Sequence, residues 1–205
     1  MSGELPVLGQ RPVERSDAAR NRERILAAAR RLVDERGGGQ LTMNAVAAAA
    51  EVGVGTVYRR FGDQAGLVDA LMNEREIALQ QQLLTGPPPL GPGALPRDRI
   101  IAFLHAYADM LEAYAPVLAT AGSAARNAQH GRGAGAFRHQ HLALLIEQLS
   151  ADRGRAPGHE LDAHFLADAL LAPLDPAAFL GQRDGLGYSL QRIKNGLSQL
   201  VDGIG

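Results

Sequence analysis

The chain contains no cysteine, and only 4% of its 205 residues are aromatic. The lack of cysteine excludes disulfides, thiolate metal sites and cysteine nucleophiles. No stretch approaches the roughly 20 apolar residues that a membrane-spanning helix needs, and the N-terminal residues lack the apolar region of a signal peptide. The sequence therefore predicts a cytoplasmic protein with no membrane partner.

Strand-forming patterns are equally scarce. β-branched residues never alternate with polar ones, helix formers dominate, and a hydrophobic fraction of 46% is ample for a core. We expect an all-α protein of one or two domains.

The charge is small overall but unevenly distributed. A net charge of −1 argues against a uniformly basic protein that coats nucleic acid. Residues 1–60 hold ten arginines and seven acidic residues, a net charge of +3, whereas the remainder has a net charge of −4. Positive charge is thus biased toward the N-terminal end, as expected if that end meets nucleic acid.

Residues 41–61, LTMNAVAAAAEVGVGTVYRRF, carry the most informative pattern. Thr42 is a good N-cap for a short helix, and the alanines that follow favour helix. Gly53 can adopt backbone angles that other residues avoid, so we expect a turn there and a second helix from about Val54. This is a helix-turn-helix pattern, in which the second helix lies in the major groove of DNA.

The second helix has two chemically different faces. At about 100° per residue, Val54 and Phe61 fall within about 60° of Val57 and share its buried side. The opposite side and its flanks comprise Gly55, Thr56, Tyr58, Arg59 and Arg60. Two arginines alone are typical of a solvated helix end, but the combination of turn, apolar face and polar face favours DNA binding.

The polar face divides further by position. Gly55 keeps the helix start thin, so that backbone N–H groups can approach a phosphate. Thr56 can bond a phosphate or touch a thymine methyl, and Arg59 can reach a guanine edge. Tyr58 and Arg60 are better placed for the phosphates, which fix orientation without reading sequence.

Residues 22–71 resemble the DNA-binding region of the TetR (tetracycline-repressor-like) family of transcriptional regulators. The matching pieces are RERILAAARRLVDERG, LTMNAVAAAA, VGVGTVYRRFGD and AGLVDAL. The resemblance implies that Thr42 holds a phosphate and that the residues from Thr56 to Arg60 contact DNA. The complete set of predicted DNA-binding residues is Thr42, Gly53, Val54, Gly55, Thr56, Tyr58, Arg59 and Arg60.

Two positions depart from the family pattern. The family usually has glycine where this chain has Glu51, and a left-handed Glu51 would be strained by an energy on the order of 1 kcal/mol. Its carboxylate would also lie near DNA. The family often has lysine where this chain has Gln64, so one phosphate contact is neutral or missing.

The predicted organisation is a flexible tail at 1–15, a DNA-binding domain at 16–71 with its motif at about 42–61, and an effector-binding and dimerisation domain at 72–205. The fold class is all-α, with a three-helix N-terminal domain joined to a larger helical bundle. Ser16 or Asp17 is expected to cap the first helix, and Gly37 to end it. Asp63 is expected to cap a fourth helix. Apolar residues at helical spacing predict the inward faces of these two helices, which are Ile25, Leu26, Ala29, Leu32 and Val33 on the first and Leu67, Val68, Leu71 and Met72 on the fourth.

The second half of the chain predicts a helix at about 97–120 that is apolar around most of its circumference and therefore central. The proline-rich stretch 85–96 before it is a stiff linker or an exposed loop. Further helices are expected at about 122–130, 136–151, 160–172, 177–183 and 188–203.

No constellation of residues points to catalysis. His139 and His141 are two residues apart, whereas histidines that bind one metal ion from a helix are usually four apart. We find no nucleophile motif, phosphate loop or dinucleotide fingerprint, and we expect no catalytic residue, metal or cofactor, and hence no enzyme.

A small-molecule pocket is the other candidate site, because mostly apolar cavities with a few polar groups are usual for ligands. The alternative is that the same residues simply fill the core. The predicted ligand-binding residues are Tyr107, Met110, Leu111, Tyr114, Phe137, His141 and Leu145.

The family resemblance implies an inducer and a homodimer formed by the last long helices, here about 160–172 and 188–203. In the last helix the residues suited to such packing are Leu186, Leu190, Ile193, Leu197, Leu200 and Val201.

We therefore expect a ligand-responsive repressor that binds a palindromic DNA operator as a homodimer and is released by a small-molecule effector. The alternative is a helical small-molecule-binding protein or enzyme with a vestigial DNA-binding domain, which the unusual Glu51 and Gln64 favour.

Overall fold

The computed structural model of the chain describes residues 11–36, 41–120, 134–152 and 161–204. All regular structure within these ranges is helical, which confirms the predicted fold class. A 3-10 turn (Ala172–Leu174) and a π-helical turn (Gly181–Gly185) flank the short helix Pro176–Leu180. The α-helices are α1 (Arg11–Arg36), α2 (Met43–Ala49), α3 (Val54–Phe61), α4 (Gln64–Thr85), α5 (Pro96–Thr120), α6 (Ala134–Asp152), α7 (Ala163–Leu171), α8 (Pro176–Leu180) and α9 (Leu190–Ile204).

The first helix begins earlier than predicted. It starts at Arg11, so Ser16 and Asp17 lie inside α1 and do not cap it. Pro12 is compatible with this start, because the N–H groups of a first helical turn have no intrahelical partner. The predicted tail up to residue 10, Gly37 and the predicted helix at 122–130 lie outside the described residues.

The N-terminal helices enclose one hydrophobic core. We call this part the head: α1, α2, α3 and α4 as far as Met72. The faces predicted for α1 and α4 are both buried in it. Tyr114 of α5 also lies in this core and is only 1% exposed. The buried residues of the two predicted faces are Ile25, Leu26, Ala29, Leu32, Val33, Leu67, Val68, Leu71 and Met72.

A second core fills the body, which comprises the rest of α4 and α5 to α9. Helix α5 is central, as predicted, since it contacts α4, α6, α8 and α9. In α9, Ile193, Leu197 and Val201 are buried in this core, whereas Leu200 is 51% exposed. Leu186 precedes α9 and is 64% exposed, so the predicted apolar stripe of the last helix is divided between core and surface.

Helix α4 runs through both cores without a break. Its first half contributes Leu67 and Leu71 to the head, and its second half contributes Leu79 and Leu83 to the body. The domain boundary predicted at residue 71 therefore falls inside a continuous helix.

A buried ion pair fixes the middle of α4 to α6. The guanidinium Nη1 of Arg138 donates to Oε2 of Glu76 at 2.6 Å, and these side chains are only 10% and 6% exposed. The guanidinium also lies 4.6 Å from the centre of the Tyr107 ring, and Gln80 donates to the other oxygen of Glu76. Almost no water reaches the pair, so if one charged side chain were removed, solvent could not compensate the charge of the other.

The turn between α2 and α3 has Glu51 in the left-handed region, with φ 53°. The Val52 N–H donates to the Ala47 carbonyl at 3.0 Å, and the Glu51 N–H donates to that of Ala48 at 3.2 Å. These two bonds form a Schellman motif, whose left-handed residue is usually glycine. Gly53, expected to supply the special backbone angles, has an ordinary φ of −64° and caps α3.

Within the described ranges, no helix by itself has the length and hydropathy of a membrane span; one bent pair, Ala163–Leu174 with Pro176–Gly185, meets those limits jointly.

Substituting Glu51 by glycine is expected to stabilise the protein by about 1 kcal/mol, because glycine enters the left-handed region without a Cβ clash. Thermal or urea denaturation measures the change. Glu51→Gln removes the charge but keeps the strained backbone, and it serves as the matched control. Equal stabilisation by both substitutions would mean that the charge of Glu51, and not its φ angle, destabilises the native protein.

Breaking the buried pair should be far more costly than breaking an exposed one. Arg138→Met leaves the Glu76 carboxylate buried without a cation, and we expect a loss of about 3–5 kcal/mol in the free energy of unfolding. The double variant Glu76→Leu with Arg138→Met should recover much of this loss. Arg97→Met, which removes a pair with Asp202 on the surface, is the control with little effect. A similar loss in Arg97→Met and Arg138→Met would contradict the argument.

Candidate nucleic-acid interface and body cavity

The exposed face of α3 carries most of the residues predicted to contact DNA. Val57 is fully buried, whereas Tyr58 is 51% exposed, and Arg59 and Arg60 are exposed as well. Thr56 is half-buried, and Arg59 lies 3.5 Å from its hydroxyl oxygen. One assignment needs correction: Val54 was placed on the buried side but is 39% exposed, because it is the first residue of α3 and extends past the core.

The two glycines at the start of α3 face open space. A Cβ built on Gly53 or on Gly55 would meet no atom within 4 Å. Packing within the chain therefore does not require glycine at either position. The open space at both positions leaves room for a phosphate to approach the start of α3, where helices commonly bind anions.

Two arginine contacts join α1 to the last residues of α3. Nη2 of Arg60 donates to the Ala18 carbonyl of α1 at 2.7 Å. The guanidinium of Arg22 lies 5.8 Å from the centre of the Phe61 ring. In this structure Arg60 thus contacts the backbone of the chain itself, although its side chain remains exposed.

Two further arginines of α1 bind the end of α2, and sequence reasoning missed both. Arg24 donates to the Ala50 carbonyl at 2.8 Å, and Arg31 donates to that of Ala49 at 3.3 Å. Cationic donors near the last carbonyls of a helix also interact favourably with its dipole. Arg24 and Arg31 are seven residues apart and therefore lie on one face of α1. This shared face is the sequence signal that could have identified them as residues that contact another helix.

Thr42 and Gln64 hold the beginning of α2. The Thr42 hydroxyl accepts the Ala45 N–H at 3.1 Å, so the predicted N-cap is confirmed, and the residue is exposed. The amide of Gln64 donates to the Leu41 carbonyl at 2.7 Å. Gln64 therefore joins the start of α4 to the segment that presents Thr42.

Within the described part of the chain, the seven predicted ligand-binding residues are divided between the two cores and their edges. Leu111 and Leu145 are buried in the body core, and Met110 packs against both cores. Tyr114 belongs to the head core, where its hydroxyl accepts from Nε of Arg75 at 3.0 Å. Arg75 also pairs with Asp34 of α1, so this tyrosine connects α5 to the head.

His141 and Phe137 lie together beside the body core. Their rings stack at 6.0 Å, and Phe103 meets the His141 ring edge-on at 5.7 Å. Burial, with a smaller contribution from the charge of Arg99, lowers the pKa of His141 to about 4. Its buried Nε2 has no hydrogen-bond partner, so His141 is neutral near pH 7.

A cavity of about 270 Å³ opens between α5, α6 and the segment from α7 to α8. Of the predicted ligand-binding residues, only Tyr107 lines it. Burial raises the pKa of the Tyr107 hydroxyl, which is therefore protonated near neutral pH. Sequence periodicity placed Tyr107 on a buried face, but it gave no indication that Arg138, Asp168 and Asp175 lie around it.

The histidines form no metal centre in the part of the chain that the structure describes, where no group of three or more histidine or acidic side chains is suitably arranged. His139 lies 3.3 Å from the Asp168 carboxylate and stacks on His164 at 5.2 Å. The carboxylate partner comes from α7, so no inspection of the sequence near His139 could have found it.

Comparison with known proteins gives a local match in sequence. The family model described as "Bacterial regulatory proteins, tetR family" matches residues 25–71. An HTH-type transcriptional regulator of Staphylococcus aureus (strain USA300) is 43% identical over 53 residues, which are 26% of this chain and 29% of that protein. The alignment thus spans less than a third of the curated relative.

Comparison of structures extends to nearly the whole chain. A TetR-family transcriptional regulator from a Rhodococcus species matches with a TM-score of 0.62 and 24% identity, over 90% of this chain and 98% of that one. A transcriptional regulator from Saccharomonospora viridis, solved in complex with choline, matches with a TM-score of 0.61 and 19% identity over 90% and 96%. These likenesses establish a shared fold.

The matched segment contains α2, the left-handed turn, α3 and the first turns of α4, which together build the exposed arginine-bearing face. The family resemblance predicted from the sequence is confirmed for this segment, since residues 25–71 match the model of the tetR family of bacterial regulatory proteins.

Proposed function

We propose that the chain is a DNA-binding transcriptional regulator whose helix α3 enters the major groove. The observation that carries this proposal is the exposed face of α3, where Tyr58 and Arg59 project beside two glycines with open space around them. The opposite face is anchored by Val57, which is fully buried. Such a helix can approach a groove without disturbing the core that orients it.

Within this interface we assign base reading to Gly55, Thr56 and Arg59, and phosphate contacts to Thr42, Tyr58 and Arg60. Arg59 is suited to reading because its nearest polar contact is a long one, to Thr56 of its own helix. Gly53 and Val54 lie at the beginning of α3, where backbone N–H groups meet phosphates.

We further propose that the protein acts as a cytoplasmic homodimer on a palindromic operator. Phe165 of α7 and Leu200 of α9 are 68% and 51% exposed and lie in the two segments assigned to the interface. Burial of such side chains between two copies removes apolar surface from water. The two α3 helices would then meet successive major grooves about 34–36 Å apart.

The proposed mode of action is repression that a small molecule relieves. The choline complex of the Saccharomonospora viridis regulator supports an effector site in this fold, and the body of this chain contains a cavity between α5, α6 and the segment from α7 to α8. An effector needs a coupling energy of about 1–3 kcal/mol to shift operator affinity 5- to 150-fold.

A helical enzyme or binding protein with a vestigial head is the competing function. Its main support was the pair of departures at Glu51 and Gln64. Gln64 now has a structural role through its bond to the Leu41 carbonyl, so its presence argues less for a vestigial head.

Selection from random or genomic DNA fragments with the purified full-length protein separates the two functions. The regulator predicts enrichment of a palindrome whose half-sites are about one helical turn apart. Failure to enrich any palindrome at low and moderate salt would favour the vestigial head and remove the proposal.

Two arginine substitutions are expected to change binding to the selected operator in different ways. Arg59→Ala should cost about 1–3 kcal/mol and relax preference at one base pair per half-site. Arg60→Ala should weaken all sequences alike and reduce the salt dependence of binding, because it removes a phosphate contact. Binding measured on single-base operator variants at several salt concentrations distinguishes them. If both variants bind every site as the native protein does, α3 is not in the groove.

Substituting aspartate for apolar residues at the proposed interface should dissociate the dimer. Phe165→Asp and Leu200→Asp are expected to shift the sedimentation of the protein from dimer to monomer and to reduce cooperative operator binding. Leu95→Asp is the matched control, since Leu95 is also 68% exposed but lies in the loop before α5. An unchanged dimer in both interface variants would place the contact elsewhere.

A further inference from the structure

We propose that the 270 Å³ cavity binds a compact, uncharged carbonyl compound, whose oxygen accepts a hydrogen bond from the hydroxyl of Tyr107. This inference rests on the proposed function only in taking the cavity as the effector site. Three features of the wall support it: charged groups that already have partners, a positioned hydroxyl that has none among the described residues, and an apolar remainder.

The charged side chains of the cavity wall already have polar partners. Arg138 donates to Glu76 at 2.6 Å, and Asp168 lies 3.3 Å from Nε2 of His139. Asp175 accepts two N–H groups at the start of α8 and has a further interaction as well. Because these groups have partners and burial of an unpaired charge is costly, the wall favours a ligand that brings no charge of its own.

The hydroxyl of Tyr107 is the polar group of the wall that a ligand can satisfy. Tyr107 is only 6% exposed, and its hydroxyl makes no hydrogen bond to any residue that the structure describes. A buried hydroxyl without a hydrogen bond is unfavourable, so a ligand that supplies the missing partner is stabilised by the bond. Burial raises the pKa of this hydroxyl, which therefore has a proton to donate near neutral pH.

The surroundings of the Tyr107 ring favour a ligand acceptor over a ligand donor. The Arg138 guanidinium lies 4.6 Å from the centre of the ring, and it has N–H donors but no acceptor. A carbonyl oxygen is compatible with both groups, whereas an ammonium is repelled by the guanidinium. Phe103 stacks parallel to the ring with 6.2 Å between centroids, so the hydroxyl is held in place before a ligand arrives.

The rest of the wall accepts a hydrocarbon body. Leu171, Leu174 and Pro176 line the cavity together with the ring of Tyr107. Ligand sites commonly combine such apolar walls with a few fixed polar groups. A volume of about 270 Å³ admits a single six-membered ring with a short substituent.

Two fluorinated probes of nearly the same shape test the hydrogen bond. The ketone para-fluoroacetophenone has a carbonyl oxygen, and the hydrocarbon analogue para-fluoroethylbenzene has no acceptor. Fluorine NMR titration of the full-length protein gives the affinity for each probe, and the ratio of the two affinities is compared between the native protein and Tyr107→Phe. The ratio should fall about five- to tenfold in the variant, because only the ketone loses a hydrogen bond.

The substitution is chosen to preserve the fold. Tyr107→Phe keeps the ring that contacts Arg138 and Phe103 and removes a hydroxyl that bonds to no described residue, so thermal denaturation should be nearly unchanged. Tyr188→Phe is the matched control, since it removes a hydroxyl outside this cavity wall and should leave the ratio of affinities as in the native protein.

The charge of the ligand is tested with para-fluorobenzylamine and para-fluorobenzoate, which are a cation and an anion near neutral pH. Both are expected to bind more weakly than the ketone. The proposal is overturned if the ketone does not bind, if either charged analogue binds more tightly than the ketone, or if Tyr107→Phe leaves the ratio of affinities unchanged. An equal fall of the ratio in Tyr188→Phe would also contradict it.

Failure of this site and failure of the regulator are distinguishable. The titrations contain no DNA, and the selection of DNA fragments contains no ligand. An enriched operator without ketone binding would keep the regulator and remove the carbonyl site, whereas ketone binding without an enriched operator would do the reverse.

Discussion

The continuity of α4 is the constraint on which the arrangement of the whole molecule depends. One end of this helix is buried in the head through Leu67 and Leu71, and the other in the body through Leu79 and Leu83. Between them, the Glu76 carboxylate must meet Arg138 within hydrogen-bonding distance, because neither charge has water to replace its partner. A buried pair of this kind tolerates little sliding or rotation, so the orientation of α4 also sets the orientation of α3 relative to the body.

The same pair connects the cavity to α4, the helix that continues into the head. Arg138 lines the cavity on one side and binds a residue of α4 on the other. A charge that enters the cavity therefore changes the electrostatic surroundings of a group that holds α4. The second connection, from Tyr114 through Arg75 to Asp34, joins α5 to α1 and carries no cavity residue. Of these two connections, a ligand in the cavity would reach the first directly and would not reach the second.

The local sequence pattern was sufficient to predict most helices and the exposed polar face of α3. Apolar residues at helical spacing identified the buried sides of α1, α4 and α5, and Thr42 and Asp63 were recognisable caps. The contacts that the sequence did not predict join residues far apart in the chain. Glu76 and Arg138 are 62 positions apart, and Arg24 reaches Ala50 across 26. A charged residue on a helix is usually solvated, so sequence periodicity gave no indication of either contact.

Tyr114 has a consequence for how such proteins diversify. Its ring fills part of the core beneath the helix-turn-helix, although the residue belongs to a helix of the body. A chimera that joined this head to an unrelated body would lose that ring and leave a void among side chains packed to the density of a solid. Exchange of recognition helices between relatives is therefore simpler than exchange of entire heads, since α3 contributes only Val57 as a fully buried side chain. If α3 reads DNA as proposed, a new sequence preference is most accessible by changing a few exposed residues of α3 while the rest of the head is retained.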